Sequence, residues 1–253
     1  QTIPELTVEL ISTYNDQTAS FATSYGSFMR NFIVHTPPNF DYQTESLPLL
    51  FVLHGYTGRA PSIREYSGFD QIADEERFIV VYVQGTTDQF GNTGWNVNVV
   101  ASFLGVDDVG FFKALIKYFK ASYNIDSNKI FSSGMSLGGF MSYRLACELE
   151  EINSIGSVTG SMAGYYQCNP PKKSSIIHLH GMNDAIVPYN GVEWSFSAKA
   201  AHDFWKNHNQ CNSQNEITIP DFNGDGEYTT RLISYDCEDN KSVELYSLEG
   251  EGH

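Results

Sequence analysis

Ser133-Gly134-Met135-Ser136-Leu137-Gly138-Gly139 carries a Gly-x-Ser-x-Gly pattern. Before it, Lys129-Ile130-Phe131-Ser132 reads as a short buried strand; after it, Phe140-Met141-Ser142-Tyr143-Arg144-Leu145-Ala146-Cys147 has apolar residues at helical spacing. A serine on so sharp a turn from strand to helix projects its hydroxyl above the sheet. The strained backbone calls for glycine at Gly134 and Gly138, where side chains would meet the neighbouring strand and helix. The start of the helix offers the Leu137 amide to a developing negative charge. Alone, the pattern is a common accident, a Gly-rich turn whose serine caps a helix. The strand on one side and the helix on the other select the nucleophile reading, with Ser136 as the attacking group.

Outward from this turn, strand and helix signals alternate, as a parallel sheet with crossover helices requires. Leu49-Leu50-Phe51-Val52-Leu53 and Phe78-Ile79-Val80-Val81-Tyr82-Val83 are continuous apolar runs, the mark of strands buried on both faces. Residues 107–123 read as a helix with Val109, Phe112, Leu115, Ile116 and Phe119 on one stripe. Ile155-Gly156-Ser157-Val158 and Ser175-Ile176-Ile177-His178-Leu179-His180 read as the next strands, residues 195–208 as a helix, and Val243-Glu244-Leu245-Tyr246-Ser247-Leu248 as the strand that closes the sheet. Phe28, Phe32 and Val34 alternate in the segment before Leu47 and suggest an antiparallel edge. The expectation is an α/β class protein: one domain over 1–253, a mostly parallel central sheet and helices on both faces.

A serine nucleophile needs a base within hydrogen-bond reach, and the base needs an acid to orient it. Asp184 leaves the end of the strand at 175–180 in the loop Met182-Asn183-Asp184-Ala185-Ile186-Val187-Pro188-Tyr189, which suits the acid; the structural alternative is a turn former. Asp107 and Asp108 read as helix-start residues and Asp203 as a helix residue. The base is expected after the last strand, where Glu249-Gly250-Glu251-Gly252-His253 brings an imidazole back across the strand ends. His202 and His208 are expected on a solvent-facing helix side, and His178 and His180 as packed core histidines rather than a metal pair. A base on a free carboxy terminus would be poorly held, so a continuation beyond His253 is expected. The loop after the early strand, His54-Gly55-Tyr56, supplies the second oxyanion donor, the Tyr56 amide beside that of Leu137. Trp95, in Asn92-Thr93-Gly94-Trp95-Asn96, is expected to wall the substrate cleft, the alternative being a core cover.

A formal net charge of −15 argues against nucleic acid and anionic membrane surfaces as partners. No apolar run approaches the ~20 residues of a membrane span. Gln1-Thr2-Ile3-Pro4 lacks the basic start and apolar stretch of a signal peptide. The four cysteines lack the close spacing of zinc or redox sites. Of their three connectivities, the sequential one, Cys147–Cys168 and Cys211–Cys237, is expected. Disulfides imply secretion with a signal already removed. Asp221-Phe222-Asn223-Gly224-Asp225-Gly226 opens like a calcium loop, but Leu232 stands where the bidentate Glu belongs, so a hairpin turn is the favoured reading. No metal and no cofactor is called for.

Taken together, Leu53-His54-Gly55, Gly94-Trp95-Asn96, Val106-Asp107-Asp108-Val109-Gly110-Phe111, Gly134-Met135-Ser136-Leu137-Gly138-Gly139, His180-Gly181 through Asp184 to Val187-Pro188-Tyr189, and Gly250-Glu251-Gly252-His253 resemble a known group. It is that of the secreted polyhydroxybutyrate depolymerases and feruloyl esterases, in the α/β-hydrolase superfamily, and the resemblance covers residues 47–253. It implies an α/β-hydrolase fold, a Ser136–His253–Asp184 triad, the two cysteine pairings, and hydrolysis of feruloyl or short hydroxyalkanoate esters through an acyl-enzyme. The group usually continues past the histidine with a short Trp- and Pro-containing segment, absent here. The rival expectations are a peptidase of the same fold and a catalytically silent glycan- or partner-binding protein, the latter favoured if His253 were turned away from Ser136.

Overall fold

The computed structural model describes residues 2–253 except Phe222, Asn223 and Asp225. The chain opens with three antiparallel strands, β1 (Val8–Asn15), β2 (Thr18–Tyr25) and β3 (Phe28–His35). The alternating part follows: β4 (Leu47–Leu53), α1 (Ala60–Ser67), α2 (Phe69–Glu76), β5 (Ile79–Val83), a small ribbon of β6 (Thr86–Thr87) and β7 (Thr93–Gly94), then α3 (Asp108–Ser122). Beyond it come β8 (Ile125–Met135), α4 (Leu137–Glu148), β9 (Ser154–Val158), β10 (Ser175–Gly181), α5 (Ala198–His208), β11 (Ser213–Ile219), β12 (Thr229–Tyr235) and β13 (Val243–Leu248). Among the described residues, eleven strands form one sheet in the order β1-β2-β3-β5-β4-β8-β9-β10-β13-β12-β11. The middle, from β5 to β13, is parallel; both flanks are antiparallel. The strand at 243–248 therefore does not close the sheet, because β12 and β11 extend it. Their partly exposed, polar alternation (Thr, Arg, Ser, Gln, Asn) lacks the continuous apolar run that identifies a doubly covered strand.

The period-two alternation of β4 explains the layers. Leu49, Phe51 and Leu53 enter one buried cluster with Phe112, Leu115 and Phe119 of α3. Leu50 and Val52 point the other way, into a second cluster with Ala60 and Ile63 of α1 and Ala73 of α2. Burying one such large apolar side chain stabilises the fold by about 1.5–3 kcal/mol. Both sheet faces are thus covered by helices, which is why the central strands read as unbroken apolar runs. The helices α1 and α2 have no such signature; the available signal is Pro61 in the first turn of α1, followed by Gly68 at φ 65° between the two helices.

Two disulfides join Cys147 to Cys168 and Cys211 to Cys237. The first ties the end of α4 to the loop between β9 and β10. The second ties the segment after α5 to the end of β12. No helix among the described residues is long and apolar enough to cross a membrane.

Candidate active site

The carboxyl ends of four parallel strands meet at one place: His54 follows β4, Ser136 follows β8, Asp184 follows β10 and His253 follows β13. At the elbow Ser136 has φ 53° and ψ −122°, a backbone conformation that non-glycine residues rarely adopt. Its neighbours must be glycine for steric reasons. A Cβ on Gly138 would overlap the Leu53 carbonyl, and one on Gly134 the backbone of Gly138. The Ser136 amide donates to the Val158 carbonyl at 2.8 Å, anchoring the turn to β9.

Ser136 Oγ lies 2.8 Å from His253 Nε2, and His253 Nδ1 lies 2.8 Å from Asp184 Oδ2. Asp184 Oδ1 accepts the amides of Ile186 (2.8 Å) and Val187 (2.9 Å). Burial alone would push the Asp184 carboxyl up, but the hydrogen bonds from His253, Val187 and Ile186 outweigh it and hold the carboxyl below its ordinary value. It is therefore ionised at neutral pH and accepts a hydrogen bond from His253. The side chain of His253 is 20% exposed, open to a substrate on one side. The loop that carries it is stitched to the acid loop: Asn183 donates its amide to Glu251 (2.9 Å) and its side chain to the Gly250 carbonyl (3.2 Å). His253 faces Ser136 rather than turning from it.

Leu137 is the first residue of α4, so its amide has no intrahelical acceptor. Tyr56 lies opposite, in the turn after β4, and lines the pocket above Ser136. That turn is braced by His54, which is buried. The Gly85 amide donates to its Nε2 at 2.9 Å, so its Nδ1 carries the proton and donates to the Gly55 carbonyl at 2.7 Å. Burial pushes the imidazole down to about 4, which keeps it neutral.

Trp95 corrects an expectation. It is fully buried and forms no part of the cleft. Its indole Nε1 donates to the His54 carbonyl at 2.8 Å. The adjacent Asn96 donates its amide to Asp108 and its side chain to the Val106 carbonyl, at 2.7 and 2.8 Å. Asp108 in turn forms a 2.7 Å buried ion pair with Arg30. Tryptophan here is a brace beneath the turn after β4, because its polar edge found a carbonyl and its rings the core. Asp107 caps α3 by accepting the Gly110 amide at 2.9 Å. His202 is also corrected: it is buried, with Nε2 3.3 Å from Ser234 Oγ. The packing of α5 on β13 covers more of the helix than its mixed sequence suggests.

The walls of the cleft come from a region without a sequence motif. A pocket of about 400 Å³ beside Ser136 and His253 is lined by Tyr56, Arg59, Ile63, Tyr66 and Met135 among others. Arg59 precedes α1, whereas Ile63 and Tyr66 lie on it. Tyr56 and Tyr66 are both exposed, at 44% and 75%. Among the described residues, no group of three or more His, Cys, Asp or Glu side chains is arranged to hold a metal ion. Most of the calcium-like pattern at Asp221 to Asp225 lies outside the described residues.

No protein-family model matches the chain. An acetyl xylan esterase from Aspergillus awamori superposes over 98% of this chain and 94% of its own, with a TM-score of 0.62 at 15% identity. The chain has the α/β-hydrolase fold. Among curated relatives, it is 25% identical to the bifunctional acetylxylan esterase/xylanase XynS20E of Neocallimastix patriciarum, over 88% of this chain and 31% of that protein. It is 25% identical to feruloyl esterase D of Neurospora crassa over 94% of this chain and 78% of the relative. The chain spans between about a third and a half of the length of the first relatives it matches. These likenesses support the resemblance to the feruloyl esterase group.

Proposed function

We propose that this α/β-hydrolase-fold chain is a serine carboxylic ester hydrolase acting on hydroxycinnamoyl esters of the plant cell wall. The observation that carries the reading is the pair of 2.8 Å contacts linking Ser136, His253 and Asp184 at the strand ends. Ser136 Oγ attacks the ester carbonyl while His253 Nε2 takes its proton. Asp184 holds the ring with Nδ1 protonated and stabilises the imidazolium that forms. The amides of Leu137 and Tyr56 receive the oxyanion, each worth about 3–4 kcal/mol in the transition state. His253 returns the proton to the departing alcohol, then activates the water that cleaves the acyl-enzyme. No step requires a cofactor.

The acyl group is inferred from the pocket. Two exposed tyrosines and the apolar Ile63 and Met135 offer faces and edges to an aromatic ring. A short hydroxyalkanoate would leave most of that surface unfilled. The relatives named feruloyl esterase point the same way, whereas the one named acetylxylan esterase shares ester cleavage but not that acyl group. Two disulfides suit an oxidising compartment, and secretion fits an enzyme of cell-wall esters.

The test is hydrolysis of methyl ferulate beside p-nitrophenyl acetate and a soluble hydroxybutyrate oligomer, with Ser136→Ala as control. The expected result is preference for the ferulate and loss of at least about 10⁴-fold in kcat for the variant. Preference for the oligomer overturns the acyl assignment, and near-wild-type turnover by Ser136→Ala overturns the mechanism.

A further inference from the structure

Behind the acid, away from the substrate, a file of buried side chains runs from α4 to Asp184. Tyr143 Oη is 3.0 Å from His178 Nδ1, His178 Nε2 is 2.9 Å from His180 Nδ1, and His180 Nε2 is 2.8 Å from the Val187 carbonyl. His180 Nε2 is also 3.3 Å from Asp184 Oδ2, the oxygen that faces His253. All three side chains are almost completely buried.

The far end settles every proton. A carbonyl only accepts, so His180 Nε2 must carry the hydrogen. In a neutral ring His180 Nδ1 is then an acceptor, and His178 Nε2 must donate to it. His178 Nδ1 is left as an acceptor and takes the Tyr143 hydroxyl proton. All donors therefore point the same way, towards the acid loop. Burial pushes both imidazoles down and the tyrosine hydroxyl up, so each group stays in the neutral form that this pattern needs.

We propose that Tyr143, His178 and His180 are positioning residues, a one-way hydrogen-bond chain whose last N–H is shared between the Val187 carbonyl and Asp184 Oδ2. The inference rests on the triad reading above. It gives the chain two roles. The chain clamps the loop whose amides hold Asp184, and it withdraws part of the charge that Oδ2 would otherwise direct at His253. Without that N–H, Oδ2 favours the imidazolium more strongly, so the free base appears only at higher pH. Other groups facing the chain are His202 on α5, with Asp203 and Lys199 beside it, and Tyr189, edge-on to His180 with ring centroids 5.7 Å apart. These remain unchanged in the test.

The experiment is the pH profile of kcat/KM for an activated acetyl ester, with kcat and KM separated, in wild type, His180→Phe, His180→Gln and Tyr143→Phe. Loss of the N–H in His180→Phe is expected to lower kcat about tenfold with KM within about twofold. It should also move the acidic limb up by roughly half to one pH unit. His180→Gln keeps an N–H near the Nε2 position and should hold the limb at its wild-type place. Tyr143→Phe removes the donor to His178 Nδ1; the Val187 carbonyl still fixes the proton order, but each donor along the chain is weakened, so the limb should move up by a smaller amount. A limb that stays or moves down in folded His180→Phe overturns the proposal, as does an equal displacement in His180→Gln. If neither His180 variant folds, Tyr143→Phe decides: a raised limb supports the chain and an unmoved one overturns it. Activity that survives in Ser136→Ala would instead sink the triad reading on which the chain depends.

Discussion

Ser136 and its two partners reach the same point by different means. At the elbow, atoms exclude alternatives: Gly138 lies so close to the Leu53 carbonyl that any side chain overlaps it, and Ser136 sits at φ 53° because strand and helix meet there. At the acid–base end the backbone is as close, since a Cβ on Gly181 would overlap the Gly252 and Glu251 carbonyls, but neither Asp184 nor His253 takes the positive φ of Ser136. Asp184 and His253 are held by hydrogen bonds: two loop amides, the Asn183 contacts to residues 250 and 251, and the shared N–H of His180. The Ser136 backbone is set by exclusion, whereas the Asp184 and His253 side chains are set by attraction. Disturbing the first should cost stability and activity together, whereas disturbing the second should cost activity first.

Asp184→Asn is the sharpest way to break the contrast. The residue keeps an oxygen for the Ile186 and Val187 amides but loses the carboxylate at His253, so kcat should fall about 10⁴-fold while the melting temperature barely moves. A large loss of stability would show that the carboxylate holds the loop as well as His253. Buried neutral histidines are what the two regions share. His54 under the turn after β4 is held at about 4 against an ordinary 6.5, so the unfolded state binds more protons between those values. Stability is then complete above about pH 6.5 and falls as pH drops towards 4, by roughly 3 kcal/mol for this group. His178 adds an effect of the same sign. Urea unfolding across a pH series measures it, and a flat curve would refute the neutral assignment.

Gly138→Ala should cost about 1–3 kcal/mol, because the end of β4 must yield, and should lower kcat in the same variant. Unfolding and steady-state kinetics on one preparation would test that coupling. Asn183→Ala removes only the side-chain bond to Gly250, leaving the backbone bond to Glu251. About 1 kcal/mol of stability or less and a few-fold loss in kcat are expected. If its kcat loss exceeded that of Gly138→Ala, the base would be the more tightly specified of the two.

The unequal legibility of these regions has the same origin. The elbow was readable because the residues it constrains are local: a run of seven between a strand and a helix holds Gly134, Ser136 and Gly138, although the carbonyl that excludes a side chain at Gly138 comes from β4. Unbroken apolar runs likewise identify β4 and β5, since burial on both faces leaves no polar alternation. Asp184 and His253 could be named from chain order, but their meeting depends on β10 and β13 pairing side by side, a contact between residues 69 positions apart. Trp95 was misplaced because an indole suits a cleft wall or a core brace equally well; only the nearby His54 carbonyl decides. The walls at Arg59, Ile63 and Tyr66 and the burial of His202 carry no motif, and of the file from Tyr143 to Asp184 only His180 and Asp184 fall in one.

By itself, the sequence determined the α/β alternation, the strained turn with its serine, and the set of groups able to serve it, because these follow from side-chain period and local backbone sterics. Only the tertiary structure decided which imidazole faces Ser136, which way each buried proton points and what surrounds the substrate. Those depend on distances between residues far apart in the chain, which are fixed once the strands have taken their order in the sheet.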